Sequence, residues 1–438
     1  MTLTTPITVV RGRFLDIQKT VSQAQDIIDQ VRYIEDGVLI AKQGQIRWFG
    51  SWDDAQAHLP ANVEIQHYPE QLIIPGMIDT HIHFPQTEMV GAYGEQLLSW
   101  LNTYTFPTEI QFQDPSYAQK IAEFFIQELL KNGTTTALVF CTVHPESVDA
   151  LFEAAAQQQM RLIAGKVMMD RHAPEALCDT AESAYEDSKA LIGKWHGQGR
   201  ALYAITPRFA PTSTPEQLER AGQLKAEFPD VYVHTHLSEN KDEIAWVKDL
   251  FPEQKGYLDV YHHYGLTGNR SVFAHCVHLE DAEWQCMHET DSTIAFCPTS
   301  NLFLGSGLFP LKKTWQQQVK VGLGTDIGAG TSFSLLQTVN EAYKVQQLQG
   351  DKLSAFESLY HATLGGAKAL DLDDKLGNFN VGKEADFVVL NLKPTALQQL
   401  RQSRSKSIED SLFALFTMGD DRNIEVTYIY GQKAYSQS

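Results

Sequence analysis

Short apolar, β-branched runs alternate with helical periodicity through the middle of the chain. Eight such runs predict strands: Ile73–His81, Thr134–Phe140, Leu162–Met168, Leu202–Thr206, Val231–His236, Ser271–His275, Thr293–Phe296 and Val319–Leu323. Most of the segments between them carry apolar residues at helical spacing, as in Tyr117–Leu130, Ser147–Gln159 and Pro215–Ala226. Strands that alternate with helices form parallel sheets, and eight repeats favour a closed (β/α)8 barrel.

The two ends of the chain show a different pattern, in which short β-like runs are separated by turn residues. These runs are Ile7–Val10, Gly37–Ala41 and Gln45–Gly50 near the start, and Asp386–Leu390 and Val426–Tyr430 near the end. Two β-rich ends around a long middle predict one composite domain. We therefore expect an α/β protein in which residues 74–376 form a TIM barrel, while residues 1–73 and 377–438 together form a small β-sandwich domain.

The composition is that of an ordinary globular protein and narrows the choice of partners. Of the 438 residues, 43% are hydrophobic and 20% are charged. No run approaches the roughly 18 apolar residues of a membrane span, and the first residues lack the pattern of a signal peptide, so we expect a cytoplasmic protein. A net charge of −19 disfavours nucleic acid and anionic membranes as partners. A neutral small molecule is compatible with that charge.

The cysteines restrict the kind of metal site. Five are present and no two have C-x-x-C spacing: Cys141, Cys178, Cys276, Cys286 and Cys297. This scattered set predicts free, mostly buried thiols. It also excludes the zinc deaminases that use an H-x-E motif followed by P-C-x-x-C. A deaminase with this sequence must therefore bind its metal through other side chains.

Metal-binding residue types follow several predicted strands at the carboxyl end, where barrel active sites lie. His81 and His83 are two residues apart on the first strand, so both point to one face. The fifth strand ends at His236, the sixth ends at His275, and the eighth is followed by Asp326. Imidazole and carboxylate ligands suit zinc or iron, and a catalytic site leaves a position for water. Agreement among four strand ends favours a metal site over a purely structural role.

The remaining histidines in this part of the chain do not fit the same pattern. His234 shares a strand face with His236 but lies deeper, so we expect a buried, hydrogen-bonded side chain rather than a ligand. His262, His263 and His278 have no partner at the proper depth, and we expect structural or surface roles for them.

At this point the motifs can be compared with a known family. Pro75–His83 resembles the first barrel strand of the amidohydrolase superfamily, and Gly377–Phe387 resembles its return into the small sheet domain. Four stretches also resemble guanine deaminases, and a fifth, Tyr104–Glu109, adds to the match: His83–Gln86, Thr206–Pro211, Thr235–Asn240 and Cys297–Gly307. The resemblance covers nearly the whole chain.

The resemblance implies a hydrolase that converts guanine into xanthine and ammonia in purine catabolism or salvage. It also implies a homodimer, and one zinc ion per chain bound by His81, His83, His236 and Asp326. Many relatives bind two metals, bridged by a modified lysine at the end of the fourth strand. Arg208 follows that strand here, and an arginine cannot bridge two metals. The expectation is therefore one zinc per chain, with iron as the alternative.

The resemblance further implies roles in proton transfer and substrate binding. Glu239 is the expected proton shuttle, and it would protonate the ring and then the leaving amine. His275 is expected to hold the attacking oxygen, and Asp326 to take a proton from the water in addition to binding the metal.

Gln86, Arg208 and Phe209 are expected to hold the purine. Arg208 carries five donors and no acceptor, so it must face acceptor atoms of the substrate. Gln86 both donates and accepts hydrogen bonds, which suits the mixed edge of a purine. The alternative is a polar residue that follows a strand and has no role in substrate binding. For Phe209, a core role is nearly as well supported as stacking on the ring.

Two other functions remain open at this stage. A related amidohydrolase that acts on 8-oxoguanine, a pterin or a triazine would share the metal residues and differ only in its substrate contacts. A scaffold protein that had lost catalysis would be missing metal ligands, and this chain retains all of them.

Overall fold

A computed structural model describes residues 7–93 and 97–437 of the chain. The strands, in chain order, are β1 Ile7–Ile17, β2 Val31–Lys42, β3 Gln45–Ser51, β4 Ile65–Pro75, β5 Met77–His83, β6 Thr134–Phe140, β7 Arg161–Gly165, β8 Val167–Met168, β9 Ala201–Pro207, β10 Tyr232–Leu237, β11 Ser271–His275, β12 Thr293–Phe296, β13 Lys320–Leu323, β14 Phe387–Leu390, β15 Ile424–Ile429 and β16 Gln432–Ser436.

The α-helices fall mostly between the barrel strands and after the last of them. They are α1 Trp52–Ala55, α2 Leu97–Trp100, α3 Phe106–Glu109, α4 Pro115–Lys131, α5 Pro145–Gln157, α6 Ala181–Trp195, α7 Pro215–Glu227, α8 Lys241–Leu250, α9 Tyr257–His263, α10 Asp281–Glu289, α11 Pro298–Phe303, α12 Leu311–Gln317, α13 Leu335–Leu348, α14 Ala355–Ala362, α15 Leu364–Ala369, α16 Ala396–Gln402 and α17 Ile408–Met418. Among the described residues, no helix has the length and apolar character needed to cross a membrane.

Eight parallel strands form the barrel in the order β5-β6-β7-β9-β10-β11-β12-β13, and β8 pairs beside β9. The last strand returns to the first through side-chain and loop contacts. Thr80 Oγ1 donates to the carbonyl of Leu323 at 3.0 Å, and the amide of Asp326 donates to the carbonyl of His81 at 2.9 Å. The predicted (β/α)8 barrel is confirmed, and its carboxyl ends converge on one mouth.

The barrel interior is filled by side chains, so it is a packed core rather than a channel. One buried cluster takes a residue from each of seven successive strands: Ile78, Leu138, Ile163, Ala204, Tyr232, Val272 and Ala295. The Tyr232 hydroxyl donates to the carbonyl of Leu370 at 2.6 Å, which satisfies the polar atom of this layer. This apolar floor leaves only the carboxyl end of the barrel open for polar chemistry.

Strands from both ends of the chain form a second, seven-stranded sheet in the order β16-β15-β14-β4-β1-β2-β3. One buried cluster contains Leu39 of β2 and Tyr428 of β15, which lie near opposite edges of that sheet. The sheet therefore curls around its own core, in keeping with the expected composite domain. The exact boundaries expected at residues 73/74 and 376/377 stay a prediction.

The prediction of one strand over Ile73–His81 is wrong at both ends. Gly76 separates two strands: β4 of the terminal sheet ends at Pro75, and barrel strand β5 runs from Met77 to His83. A Cβ atom at Gly76 would lie 2.0 Å from Thr135 Oγ1, so only glycine fits this junction. An apolar run does not reveal such a division, because both halves are buried strands. The predicted strand Leu162–Met168 is likewise divided, into β7 and β8.

Candidate active site

The four predicted metal ligands meet at the carboxyl end of the barrel. Asp326 Oδ1 lies 3.2 Å from His81 Nε2 and 3.3 Å from His83 Nε2. The Nε2 atoms of His83 and His236 are 3.2 Å apart. The strand positions explain this convergence: His81 and His83 share one face of β5, His236 lies near the end of β10, and Asp326 follows β13.

The spacing and chemistry of these atoms fit a metal ion. Tetrahedral ligands at Zn–N distances of about 2.0–2.1 Å are separated from one another by about 3.3–3.4 Å, close to the three distances above. His81 Nε2 is buried, and apart from its 3.2 Å contact with Asp326 Oδ1 it has no hydrogen-bond partner among the described residues. Burial lowers the pKa of His83 to about 3 and holds the pKa of His236 well below its ordinary value. Both imidazoles are therefore neutral, as metal coordination requires.

The second ring nitrogen of two candidate ligand histidines is held by a buried partner. His236 Nδ1 lies 2.7 Å from the carbonyl oxygen of Arg208, which can only accept, so Nδ1 carries the proton and Nε2 is free to bind a metal. His81 Nδ1 lies 2.7 Å from His234 Nε2. His234 is fully buried, which confirms the expectation of a hydrogen-bonded histidine behind the ligands.

A buried carboxylate links the first and last barrel strands directly beneath the site. Asp79 accepts hydrogen bonds from the backbone amides of His81 and Thr325, each at 3.1 Å, and from the Thr325 hydroxyl. One of these donors belongs to His81, and the other two belong to Thr325, which precedes Asp326. Asp79 therefore fixes the relative positions of two candidate ligands.

Unusual backbone conformations occur at three residues in or next to the cavity wall. Ser238, His275 and Asp326 have φ angles of 48°, 71° and 52°, in the left-handed region that residues other than glycine seldom adopt. Such strain is concentrated at functional sites, because the surrounding structure must hold it in place.

Two titratable groups lie beside the metal-ligand cluster. Glu239 Oε2 is 3.5 Å from His275 Nε2, and Glu239 Oε1 accepts a hydrogen bond from Ser306 Oγ at 2.9 Å. Burial, reinforced by the negative charge of Asp326, raises the pKa of Glu239 to about 8. His275 is oriented by Asn301, whose side-chain oxygen lies 2.9 Å from His275 Nδ1. Glu239 can therefore carry a proton at neutral pH.

The predicted substrate contacts line the same cavity, and a further carboxylate contacts two of them. Glu109 accepts hydrogen bonds from Arg208 Nη1 at 2.7 Å and from Gln86 Nε2 at 3.1 Å. Sequence reasoning assigned Glu109 no role, although it ends the Tyr104–Glu109 motif. Phe209 contacts Trp246 edge to face, with ring centroids 6.1 Å apart.

All of the predicted site residues lie at this one cavity. Its walls include eight of them, and His81 lies beside these in contact with Asp326: His83, Gln86, Arg208, Phe209, His236, Glu239, His275 and Asp326. The sequence did not single out five further lining residues: Trp100, Leu101, Glu243, Leu304 and Ala329. Apolar side chains on part of the wall and convergent polar groups on the rest suit a small heterocycle with polar edges.

The histidines expected to have structural or surface roles do not line this cavity. His262 is at the surface and contacts Thr267, and His278 Nε2 lies 2.8 Å from the Ser306 carbonyl. His278 thus helps to fix the residue that donates to Glu239.

Comparison with known proteins gives matches along nearly the whole chain. The profile of the Amidohydrolase family matches residues 72–434. The guanine deaminase of Escherichia coli (strain K12) is 62% identical over 429 residues, which cover 98% of each chain.

Solved structures give the same result. The E. coli guanine deaminase structure superposes with a TM-score of 0.96 at 60% identity, covering 99% of this chain and 100% of that one. A guanine deaminase from C. acetobutylicum, solved with guanine bound in its active site, superposes with a TM-score of 0.88 at 31% identity. That match covers 98% of this chain and 100% of the other.

Proposed function

Because this chain belongs to the amidohydrolase family, we propose that it hydrolyses guanine to xanthine and ammonia. The observation that carries the proposal is one cavity lined both by candidate metal ligands and by the buried polar side chains of Gln86 and Arg208. The 62% identity to a guanine deaminase over nearly the full chain and the guanine-bound relative support this choice of substrate.

We propose zinc as the metal, one ion per chain, held by His81, His83, His236 and Asp326. Three neutral imidazoles and one carboxylate suit zinc, and iron is the alternative for this ligand set. When bound, the metal supplies a nucleophilic oxygen at neutral pH by lowering the pKa of water to about 7.

The side chains around the cavity would move the protons of the reaction. Overall, the oxygen of water replaces the amine at C2 of guanine, and the amine leaves as ammonia. Attack at C2 pushes negative charge onto the neighbouring ring nitrogen, and Glu239 can protonate that atom because its raised pKa keeps it protonated. Asp326 takes one proton from the attacking water, which leaves a hydroxyl group on C2. The now ionised Glu239 takes the proton of that hydroxyl and delivers it to the amine, so the C2–N bond breaks as C2=O forms. The proton held by Asp326 then restores the acid form of Glu239.

His275 is suited to hold the attacking oxygen during these steps. Its Nε2 atom lies 3.5 Å from Glu239 Oε2 and 3.8 Å from Asp326 Oδ2, between the two proton-carrying groups. A hydrogen-bonding group fixed there in advance stabilises charge that develops on the adduct.

Substrate choice follows from the polar groups of Arg208 and Gln86 in the cavity. Arg208 can donate to the C6 oxygen of guanine, and Gln86 can pair with the adjoining ring edge. Adenine has no C6 oxygen and carries its amine on another carbon. Cytosine is too small to reach both the metal ligands and Arg208. A buried polar site rejects ligands that leave its groups unpaired. Phe209 would pack on the ring.

We also propose that the enzyme acts in the cytoplasm in purine catabolism or salvage, and that it is a homodimer. The full-length similarity to guanine deaminases supports the metabolic setting. Size-exclusion chromatography with light scattering measures the oligomeric state directly.

Ammonia release from the metal-loaded protein across a panel of heterocycles tests the substrate. The panel contains guanine, adenine, cytosine, 8-oxoguanine, a pterin and a triazine. We expect guanine to be preferred, and we expect Arg208→Ala to impair guanine turnover while retaining the metal. If guanine is inert while one of the other compounds releases ammonia, the substrate assignment is wrong.

A further inference from the structure

Glu109 is a fully buried carboxylate for which the mechanism above has no role. It ends helix α3, which follows a π-helical turn over Leu101–Thr105, and it lies behind the cavity wall rather than in it. Charged side chains are almost never fully buried unless they are paired. The partners of Glu109 therefore indicate what it does.

Each carboxylate oxygen of Glu109 is used by a different substrate-contact residue. Oε2 accepts from Arg208 Nη1 at 2.7 Å, and Oε1 accepts from Gln86 Nε2 at 3.1 Å. The same short helix also places the Phe106 ring 5.6 Å from the Arg208 guanidinium carbon. Helix α3 thus contacts both of the expected polar substrate contacts, Gln86 and Arg208.

The contact with Glu109 decides which end of the Gln86 amide faces the substrate. Since the amide nitrogen donates to Glu109, the Oε1 atom is the end left over, and it accepts no hydrogen bond from any described residue. Gly328 makes room for that oxygen, because a Cβ atom at Gly328 would lie 1.9 Å from it. The acceptor end of Gln86, a residue that lines the cavity, is therefore the end available to a ligand.

Glu109 also balances the positive charge of Arg208 and holds its guanidinium group in one direction. The two side chains form a buried ion pair, with side-chain exposures of 3% for Arg208 and 1% for Glu109. Nη1 is engaged by the pair, while Nε and Nη2 donate to no described residue and remain available for a ligand. Because Glu109 balances the positive charge, the cavity does not require an anionic substrate.

We propose that Glu109 is the positioning residue that sets substrate specificity, by presenting Gln86 as an acceptor and Arg208 as a donor. This pair matches a lactam edge, in which a ring N–H adjoins a carbonyl, as in N1–H and O6 of guanine. The inference rests on the proposed function and adds how the site selects the lactam edge of a neutral heterocycle.

The test compares guanine with 2-aminopurine, which carries the same C2 amine but has no lactam edge. In Glu109→Gln, the amide offers one acceptor in place of two, so Gln86 is free to reverse. We expect kcat/KM for guanine to fall by about 10- to 150-fold, the worth of a charge-assisted hydrogen bond. The value for 2-aminopurine should change by less than about threefold, so the selectivity ratio collapses.

Glu283→Gln is the matched control. Glu283 is also buried but lies outside the cavity, where it accepts from the Leu258 and Glu280 amides. It should leave the guanine to 2-aminopurine ratio at the wild-type value. A double-mutant cycle adds a second readout. Gln86→Ala should lower kcat/KM for guanine much less in the Glu109→Gln background than in the wild type.

The outcomes separate this inference from the proposed function. A wild-type enzyme that is inert on guanine overturns both. A wild-type enzyme that is active on guanine, with equal losses for both substrates in Glu109→Gln or with additive effects in the cycle, overturns only the role of Glu109. If Glu109→Gln does not fold, Gly328→Ala displaces Gln86 directly, and an unchanged selectivity ratio in that variant overturns the inference.

Discussion

Replacing Glu239 by glutamine isolates proton transfer from metal and substrate binding. The two side chains have nearly the same shape, and an amide oxygen can still accept the hydrogen bond that Ser306 Oγ donates at 2.9 Å. Glu239 is not among the metal ligands, so Glu239→Gln should keep the metal. What the variant loses is a titratable group, since an amide cannot protonate the ring nitrogen or the amine.

The size of the effect follows from that single loss. A general acid–base group contributes about 10²–10⁴-fold to the rate, which corresponds to about 2.7–5.5 kcal/mol of activation free energy. In the proposed mechanism Glu239 serves more than one proton transfer, so we expect kcat to fall toward the upper end of this range. KM should change little, because no substrate contact at the Arg208 end is altered.

The pH profile gives a second, independent readout. Burial raises the pKa of Glu239 to about 8. The acid form performs the first transfer, so wild-type kcat should fall as the pH rises above that value. The residual activity of Glu239→Gln should lack this alkaline limb.

The assay is xanthine formation by the metal-loaded variant, with metal content measured on the same sample. Asp326→Asn serves as the contrasting variant, because it should lose both metal and activity. A metal-replete Glu239→Gln enzyme with near wild-type kcat, or one that retains the alkaline limb, would refute the role of Glu239.

Three further predictions follow from neighbouring contacts. Ser306→Ala removes a hydrogen bond to Glu239, so kcat should fall about 2- to 10-fold with metal content unchanged. Asp79→Asn weakens the support of His81, so competition with a chelator should show about 10- to 100-fold weaker metal binding. Arg208→Met leaves Glu109 buried without its cation and should cost about 3–5 kcal/mol of unfolding free energy. Chemical denaturation should show most of that loss recovered in the double variant with Glu109→Gln, and equal losses in both would contradict the pairing argument.

The barrel could be predicted from the sequence because its signal is local and repeated. Each buried strand is a short apolar run with a helix after it, and this period survives errors of a few residues in the boundaries. The candidate ligands could be located for a similar reason. The spacing of His81 and His83 puts both on one strand face, and parallel strands bring their carboxyl ends together.

Other features depend on contacts that a linear pattern does not contain. Glu109 and Arg208 are 99 residues apart, so their pairing depends on the folded barrel. The division of the first predicted strand at Gly76 depends on the side chain of Thr135 on a neighbouring strand. The left-handed backbone at His275 and Asp326 is set by the tertiary structure. Asp and His are enriched in this region, but only a few per cent of residues other than glycine adopt it, so the residue type alone does not predict it.

Zinc titration of chelator-treated protein, followed by xanthine formation from guanine, tests the central claim most directly. The account predicts no xanthine without metal, a linear rise in activity to a plateau at one zinc per chain, and one ammonia released for each xanthine formed. A plateau at two metals per chain, or full metal loading with no xanthine from guanine, would contradict it.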